Sequence, residues 1–231
     1  MPAATTGGAA GVGGAARAAA DSATVVVDVN LHRSAELSDN RGALRIYDQD
    51  LRVEYRRGGR GAGLDAGQVT LDGQPLRRAV SGKGAVSYRL GREGTENAQT
   101  REDPWVSLAN AGGPGLAATL ARVKLAPFPV VTQPTPGQGA LRTEDLTVVM
   151  LPPVAGMWYR VSLRGSGDQV LATDVGQGRW VFPHALLEPL SPGGVRILIE
   201  VETSCGDCEV GPHLRANWSS RVEMEVPITL L

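Results

Sequence analysis

The strictest constraint in this chain is a two-residue rhythm. In Val195-Arg196-Ile197-Leu198-Ile199-Glu200-Val201-Glu202 the odd positions are β-branched and the even ones mostly charged. Val222-Glu223-Met224-Glu225-Val226-Pro227-Ile228-Thr229-Leu230 places its apolar residues on even positions in the same way. Successive side chains of a strand point to opposite faces, so this period predicts half-buried strands. Pro227 lacks the N–H a ladder needs and points to an edge or a bulge. Weaker versions of the rhythm mark 24–30, 44–56, 67–71, 74–79, 85–91, 104–109, 117–125, 144–150, 158–164, 168–173 and 179–183. Asp72-Gly73, between two such runs, is the cue for a tight type I′ hairpin. Only 115–125 has a spacing that fits a short helix as well as a strand, and strand is the preferred reading.

Many short strands with regular turns predict an all-β fold of sandwiches or barrels rather than a wound α/β sheet. Composition agrees: 30 Gly and 15 Pro stand against four Trp, four Tyr and two Phe. With 42% hydrophobic residues over 231 positions there is enough apolar mass for a core. The 23 basic and 24 acidic side chains leave a net charge of -1, which removes the electrostatic motive for wrapping nucleic acid. No apolar run reaches the roughly 18 residues of a membrane-spanning helix.

Residues 1–23 contain ten Ala and five Gly and no aromatic, a composition that predicts a disordered, flexible tether. The tether suits a protein hung from a membrane or wall, and a cloning remnant or plain tail explains it too. Prolines 127, 129, 134 and 136 mark an extended connector. The expected organisation is a tether at 1–23, an immunoglobulin-like sandwich at 24–128, a Pro-rich linker at 129–140 and a second sandwich at 141–231.

The second half resembles a fibronectin type III domain. Leu146-Thr147-Val148-Val149-Met150-Leu151-Pro152 is similar to that family's second strand. Tyr159-Arg160-Val161-Ser162-Leu163 resembles the strand that follows, and Leu190-Ser191-Pro192-Gly193-Gly194-Val195-Arg196-Ile197 the approach to the penultimate one. Met150 stands where the family has its core tryptophan, a volume Trp158 or Trp180 could fill, and Val195 where it has its corner tyrosine. Val69-Thr70-Leu71-Asp72-Gly73-Gln74-Pro75-Leu76 has the flavour of a bacterial immunoglobulin-like domain. The resemblance implies a spacer or binding module without catalysis, and names no ligand.

Cys205-Gly206-Asp207-Cys208 is the most informative local motif. A redox pair needs a helix N-terminus, but Glu209-Val210-Gly211-Pro212 follows and continues poorly as a helix. A structural zinc site needs four ligands, and near this pair only His213 is available. A structural disulfide stapling a 203–219 loop is the preferred reading, with free thiols and metal ligation left as alternatives. Because a disulfide persists only under oxidising conditions, it predicts a periplasmic, cell-surface or extracellular location, with a lipid-anchored unprocessed form as one variant.

Other motifs point to bland roles. Asn217-Trp218-Ser219 is a formal glycosylation sequon, and such short matches arise by chance. The glycines around 59–63 lack a following helix to hold a phosphate, and Arg56-Arg57 with Arg60 reads as a solvated hairpin tip. His32, His184 and His213 have no catalytic context around them. Asp48, Asp50, Asp28 and Asn30 supply oxygens but no complete calcium loop. Trp218, Trp158 and Trp105 either fill cores or, exposed, stack on sugars or anchor a protein.

The sequence therefore predicts a non-enzymatic, exported structural, adhesive or protein-binding module of the cell envelope. No cofactor or metal is expected, and the partner is a protein or polysaccharide at the cell surface. The disulfide joins Cys205 and Cys208, and the candidate binding surface comprises Trp218, Trp158, Trp105 and His213. The alternative is a carbohydrate-binding module using exposed Trp. Two further readings are a subunit of a self-assembling structure, pairing through an exposed edge at 220–230, and a metalloprotein using His213 with the cysteines.

Overall fold

Residues 24–38, 44–58, 61–90, 105–114, 116–151, 157–165, 169–211 and 213–231 are described by a computed structural model. The predicted tether at 1–23 lies outside them, as do Gly59, Arg60, Pro104 and Pro152. The chain is all-β, as its alternation predicts. In chain order the strands are β1 (Val25–Leu37), β2 (Leu44–Arg57), β3 (Val69–Leu71), β4 (Gln74–Pro75), β5 (Arg77–Val80), β6 (Val86–Arg89), β7 (Trp105–Asn110) and β8 (Thr119–Lys124). They continue with β9 (Val131–Gln133), β10 (Gly139–Ala140), β11 (Leu146–Met150), β12 (Tyr159–Arg164), β13 (Val170–Gly176), β14 (Arg179–Phe182), β15 (Gly193–Gly211) and β16 (Leu214–Leu230). The segment 115–125 that could have been a helix supplies β8. Asp72 and Gly73 both adopt positive φ, 46° and 80°, between β3 and β4, as a type I′ turn requires.

One large sheet runs β13-β12-β15-β16-β1-β2-β6-β5, with β10 added beside the end of β16. At its centre β1 lies parallel to β16, from Val25 opposite Leu214 to Glu36 opposite Glu225. The four long strands β1, β2, β15 and β16 pass through two apolar cores in succession. Even-numbered residues of β16 face inward throughout. Leu214, Ala216 and Trp218 belong to a core closed by the sheet β4-β3-β7-β8, and Val222 to Leu230 belong to one closed by β14-β11-β9. Likewise Val27, Val29 and Leu31 of β1 enter the first core and Ala35 and Leu37 the second.

The partition into cores therefore runs across the long strands and does not follow a cut at 129–140. The Pro-rich stretch is partly built in: it supplies β9 and β10, and Ala126 and Phe128 before it are buried. Between the two cores the inward positions turn polar. Fully buried Ser220 accepts the Ala126 N–H at 2.9 Å, and the Thr203 hydroxyl donates to the Lys124 carbonyl at 2.9 Å. Arg33 donates to the Ala126 carbonyl and lies over the Phe128 ring, 4.6 Å from its centroid. These bonds satisfy backbone groups at the end of β8 and in the residues that follow it across the waist.

The expectation of an exposed edge strand at 220–230 is corrected, whereas Pro227 does sit where one side of its strand is locally unpaired. The segment 220–230 is no edge, because β16 has β15 on one side and β1 or β10 on the other. Pro227 falls in the interval between the end of β1 pairing at Glu225 and the start of β10 pairing at Thr229, so its missing N–H breaks no ladder bond. The large sheet instead ends at β13 and β5. In the second half Met150, Val195 and Trp180 are all buried in one core. Trp180, not Trp158, supplies the indole there.

Candidate functional site

The inner face of the large sheet is covered by the two smaller sheets, which leaves its outer face for contact. That face carries most of the polar positions of the long strands. Two depressions lie on it, and the cysteine hairpin closes one end.

At the hairpin, 203–219 is not the loop expected. β15 and β16 continue to Gly211 and Leu214, and Cys205 and Cys208 flank a bulge opposite Trp218 and Ala216. The two cysteines form a disulfide, with Cα atoms 6.1 Å apart. Both pack partly against the first core. Asp207, at φ 59°, is held from two sides: its N–H donates to Asn217 Oδ1 at 2.6 Å, and its carboxylate accepts from Arg215. The bulge is thus pinned by side chains as well as by sulfur. Cys205→Ser with Cys208→Ser is expected to cost about 2 kcal/mol, the chain-entropy value for so short a loop, with the fold retained. A thermal melt checks this, and thiol titration of the denatured, non-reduced parent is expected to find no free sulfhydryl.

The four proposed surface residues do not form one patch. Trp218 is 8% exposed and belongs to the core beneath the bulge. As a binding residue it is corrected, because β16 turns even-numbered side chains inward. Trp105 meets it edge-on, ring centroids 6.2 Å apart, and its other side lies near Arg122. His213 sits in the turn between β15 and β16 at φ 58°, its carbonyl accepting the Val25 N–H at 3.0 Å. Trp158 is elsewhere, at the entry of β12, and is 61% exposed.

Trp158 borders a depression of about 260 Å³ with Arg160, Val175, Glu200, Glu202 and Arg221. Glu200 is held by Arg221 and lies 3.8 Å from Arg160, so the charges in this groove are matched. Exposed Val175 of edge strand β13 forms its apolar side.

The second depression, of about 330 Å³, is lined by Asp28, Asn30, Arg56, Asn217, Trp218 and Ser219. Asn217 donates to Asp28 Oδ1 at 2.8 Å while accepting from Asp207, so both ends of its amide are engaged, against use of the 217–219 sequon. Arg56 pairs with Asp28 at 3.2 Å and with Glu54 at 2.6 Å. Burial works to raise the Glu54 carboxyl, but hydrogen bonds from Arg56 and Arg52 outweigh it and hold the group below its ordinary value. The pocket was illegible in the sequence because its residues come from β1, β2 and β16.

The remaining candidates stay apart. His32 contacts Ser34 at 3.1 Å, and His184 contacts Asp145 at 3.1 Å. Asp145 is held below its usual value by the His184 backbone N–H and then by the ring. Asp28, considered as an oxygen ligand, already spends its carboxylate on Arg56 and Asn217. Among the described residues no three His, Cys, Asp or Glu side chains converge on a possible metal position, and no helix is long and apolar enough to cross a membrane.

No family model and no curated protein matches the chain. Among solved structures it is similar to Dpr11 IG1 bound to DIP-gamma IG+IG2, with 11% identity over 85% of this chain and 94% of that one, at a TM-score of 0.23. It is also similar to the chicken CNTN1 FN1-FN3 domains, with 16% identity over 74% of this chain and 62% of that one, again at 0.23. A third similar structure, DIP-gamma IG1+IG2, has 9% identity over 87% and 94% of the two chains, at 0.22. These are immunoglobulin and fibronectin type III structures, and at such TM-scores their likeness assigns nothing to this chain.

Proposed function

We propose that this chain is a non-catalytic binding module of the cell envelope that engages a protein partner through the outer face around Trp158. The observation that carries the reading is the exposure of that indole, 61%, where Trp180 and Trp218 are buried at 2% and 8%. A large aromatic left in water beside exposed Val175 fits the usual anchor of a protein interface, an apolar centre with a charged rim. Arg160, Arg221, Glu200 and Glu202 form that rim. The disulfide supports an oxidising location, hence export.

The test uses labelled protein and isolated envelope fractions of the source organism. Trp158→Ala is expected to keep its stability within about 0.5 kcal/mol, since the side chain packs little, and to lose at least tenfold in retention. Equal retention of parent and variant would overturn the reading. Protease treatment of the fractions is expected to abolish retention. A second reading, sugar stacking on Trp158, is favoured by the indole lying beside hydrogen-bonding side chains. Retention that survives protease, with a tryptophan fluorescence change on adding a polysaccharide, would select it.

A further inference from the structure

The outer face carries a second feature, which starts at the opposite edge of the sheet, at β5, and ends two residues along β15 and β16 from Glu202 and Arg221 of the Trp158 groove. Arg77 of β5 stands directly opposite Arg89 of β6, and Arg89 directly opposite Arg52 of β2. All three side chains point to solvent, because their neighbours Val53 and Tyr88 on the same strands are buried in the core. Opposed residues on adjacent strands have Cβ atoms about 4.5–5.5 Å apart, and like charges at that spacing destabilise the pair. Arg52 is offset by Glu54. Arg77 and Arg89 have no carboxylate partner among the described residues, and no core packing explains why two short strands set them against each other.

The row continues. Arg52 stands opposite Asn30 of β1, Asn30 opposite Ser219 of β16, and Ser219 opposite Ser204 of β15. Six strands thus present three guanidinium groups followed by three neutral hydrogen-bonding side chains, over roughly 24 Å at the usual strand spacing. Asn30 and Ser219 also line the depression of about 330 Å³. With Arg56 the arginines number four against three carboxylates on the same face, Glu54, Asp28 and Asp50, so the neighbourhood carries a net positive charge although the chain does not.

We propose that this row binds an acidic polysaccharide laid across the strands, its carboxylate or sulfate groups on Arg77, Arg89 and Arg52 and its hydroxyls on Asn30 and Ser219. Guanidinium groups match planar oxyanions with paired hydrogen bonds. The direction of the row separates this occupant from others. A peptide added to the sheet would run along β5 and take backbone bonds, whereas a ligand running across the strands meets only side chains. Single-stranded nucleic acid calls for aromatic platforms for its bases, and the row has none.

The test is binding of the full chain to polygalacturonate, with dextran, poly-glutamate and single-stranded DNA as competitors of different chemistry. Expected is saturable binding of polygalacturonate at low salt, at least tenfold tighter than poly-glutamate or DNA, and no binding of dextran. Arg77→Ala with Arg89→Ala is expected to weaken it at least tenfold and to lower the slope of log affinity against log salt by roughly two. The same variant should melt no lower than the parent, since it relieves a repulsion. Asn30→Ala with Ser219→Ala should abolish the preference over poly-glutamate, and Trp158→Ala should bind polygalacturonate as the parent does. The proposal is overturned if poly-glutamate or DNA binds as tightly, if the arginine variant binds normally or melts lower, or if Trp158→Ala loses polygalacturonate.

Discussion

Residues 24–128 expressed alone will not fold, and neither will residues 141–231. The first fragment lacks β16, the strand that lies against β1 along 12 residues from Val25 to Glu36. It also lacks Leu214, Ala216 and Trp218, which fill the core that β1 and β2 share with β7 and β8. The second fragment lacks β1 and β2, and with them Ala35, Leu37 and Leu44 from the other core. Each loss exposes several fully buried side chains at about 1.5–3 kcal/mol each, together with the unpaired edge of a central strand. Whole domains are stable by only about 5–15 kcal/mol, so neither fragment retains a margin. Far-ultraviolet dichroism and amide dispersion check this. A cooperative melt in either fragment would show that the halves are independent after all.

Trp218→Ala is expected to destabilise the protein by roughly 3–5 kcal/mol, the range for removing a buried tryptophan. The ring sits beneath the cysteine bulge, in contact with Trp105, on a strand bonded on both sides. Collapse cannot easily refill such a site, because Cys205 opposite and Val29 alongside are both fixed in ladders. Trp158→Ala is expected to do almost nothing to stability, so the two indoles are separated by one pair of urea titrations. Similar losses for both would mean that Trp158 packs, and would remove it from the proposed interface.

The sequence was readable where the buried face is aliphatic. Alternation located β2, β7, β8, β11, β12 and β14 closely, and the Asp72-Gly73 pair located its turn. It failed at one level of the molecule. β1 was expected to end at 30 and runs to 37; β15 was expected to end near 202 and runs to 211; β16 was expected to begin at 220 and begins at 214. All three errors meet at the waist, where Arg33, Thr203 and Ser220 take positions that elsewhere hold aliphatic side chains. A count of apolar residues stops there although the strand does not. That gap made the cysteines look like loop residues and let Trp218 pass for a surface group. The basic row and the Asn217 pocket were hidden for a different reason. Their members are opposed only by register, across strands far apart in sequence.

The parallel pairing of β1 with β16 bears on how the molecule is made. Asp28 and its partner Asn217 are 189 residues apart, so at ordinary translation speeds the first strand waits roughly 10–40 s for its mate. Contacts of such long range also make for slow closure once both are present. The central ladder of the large sheet can close only when the last strand has been made, so the fold is completed late in synthesis.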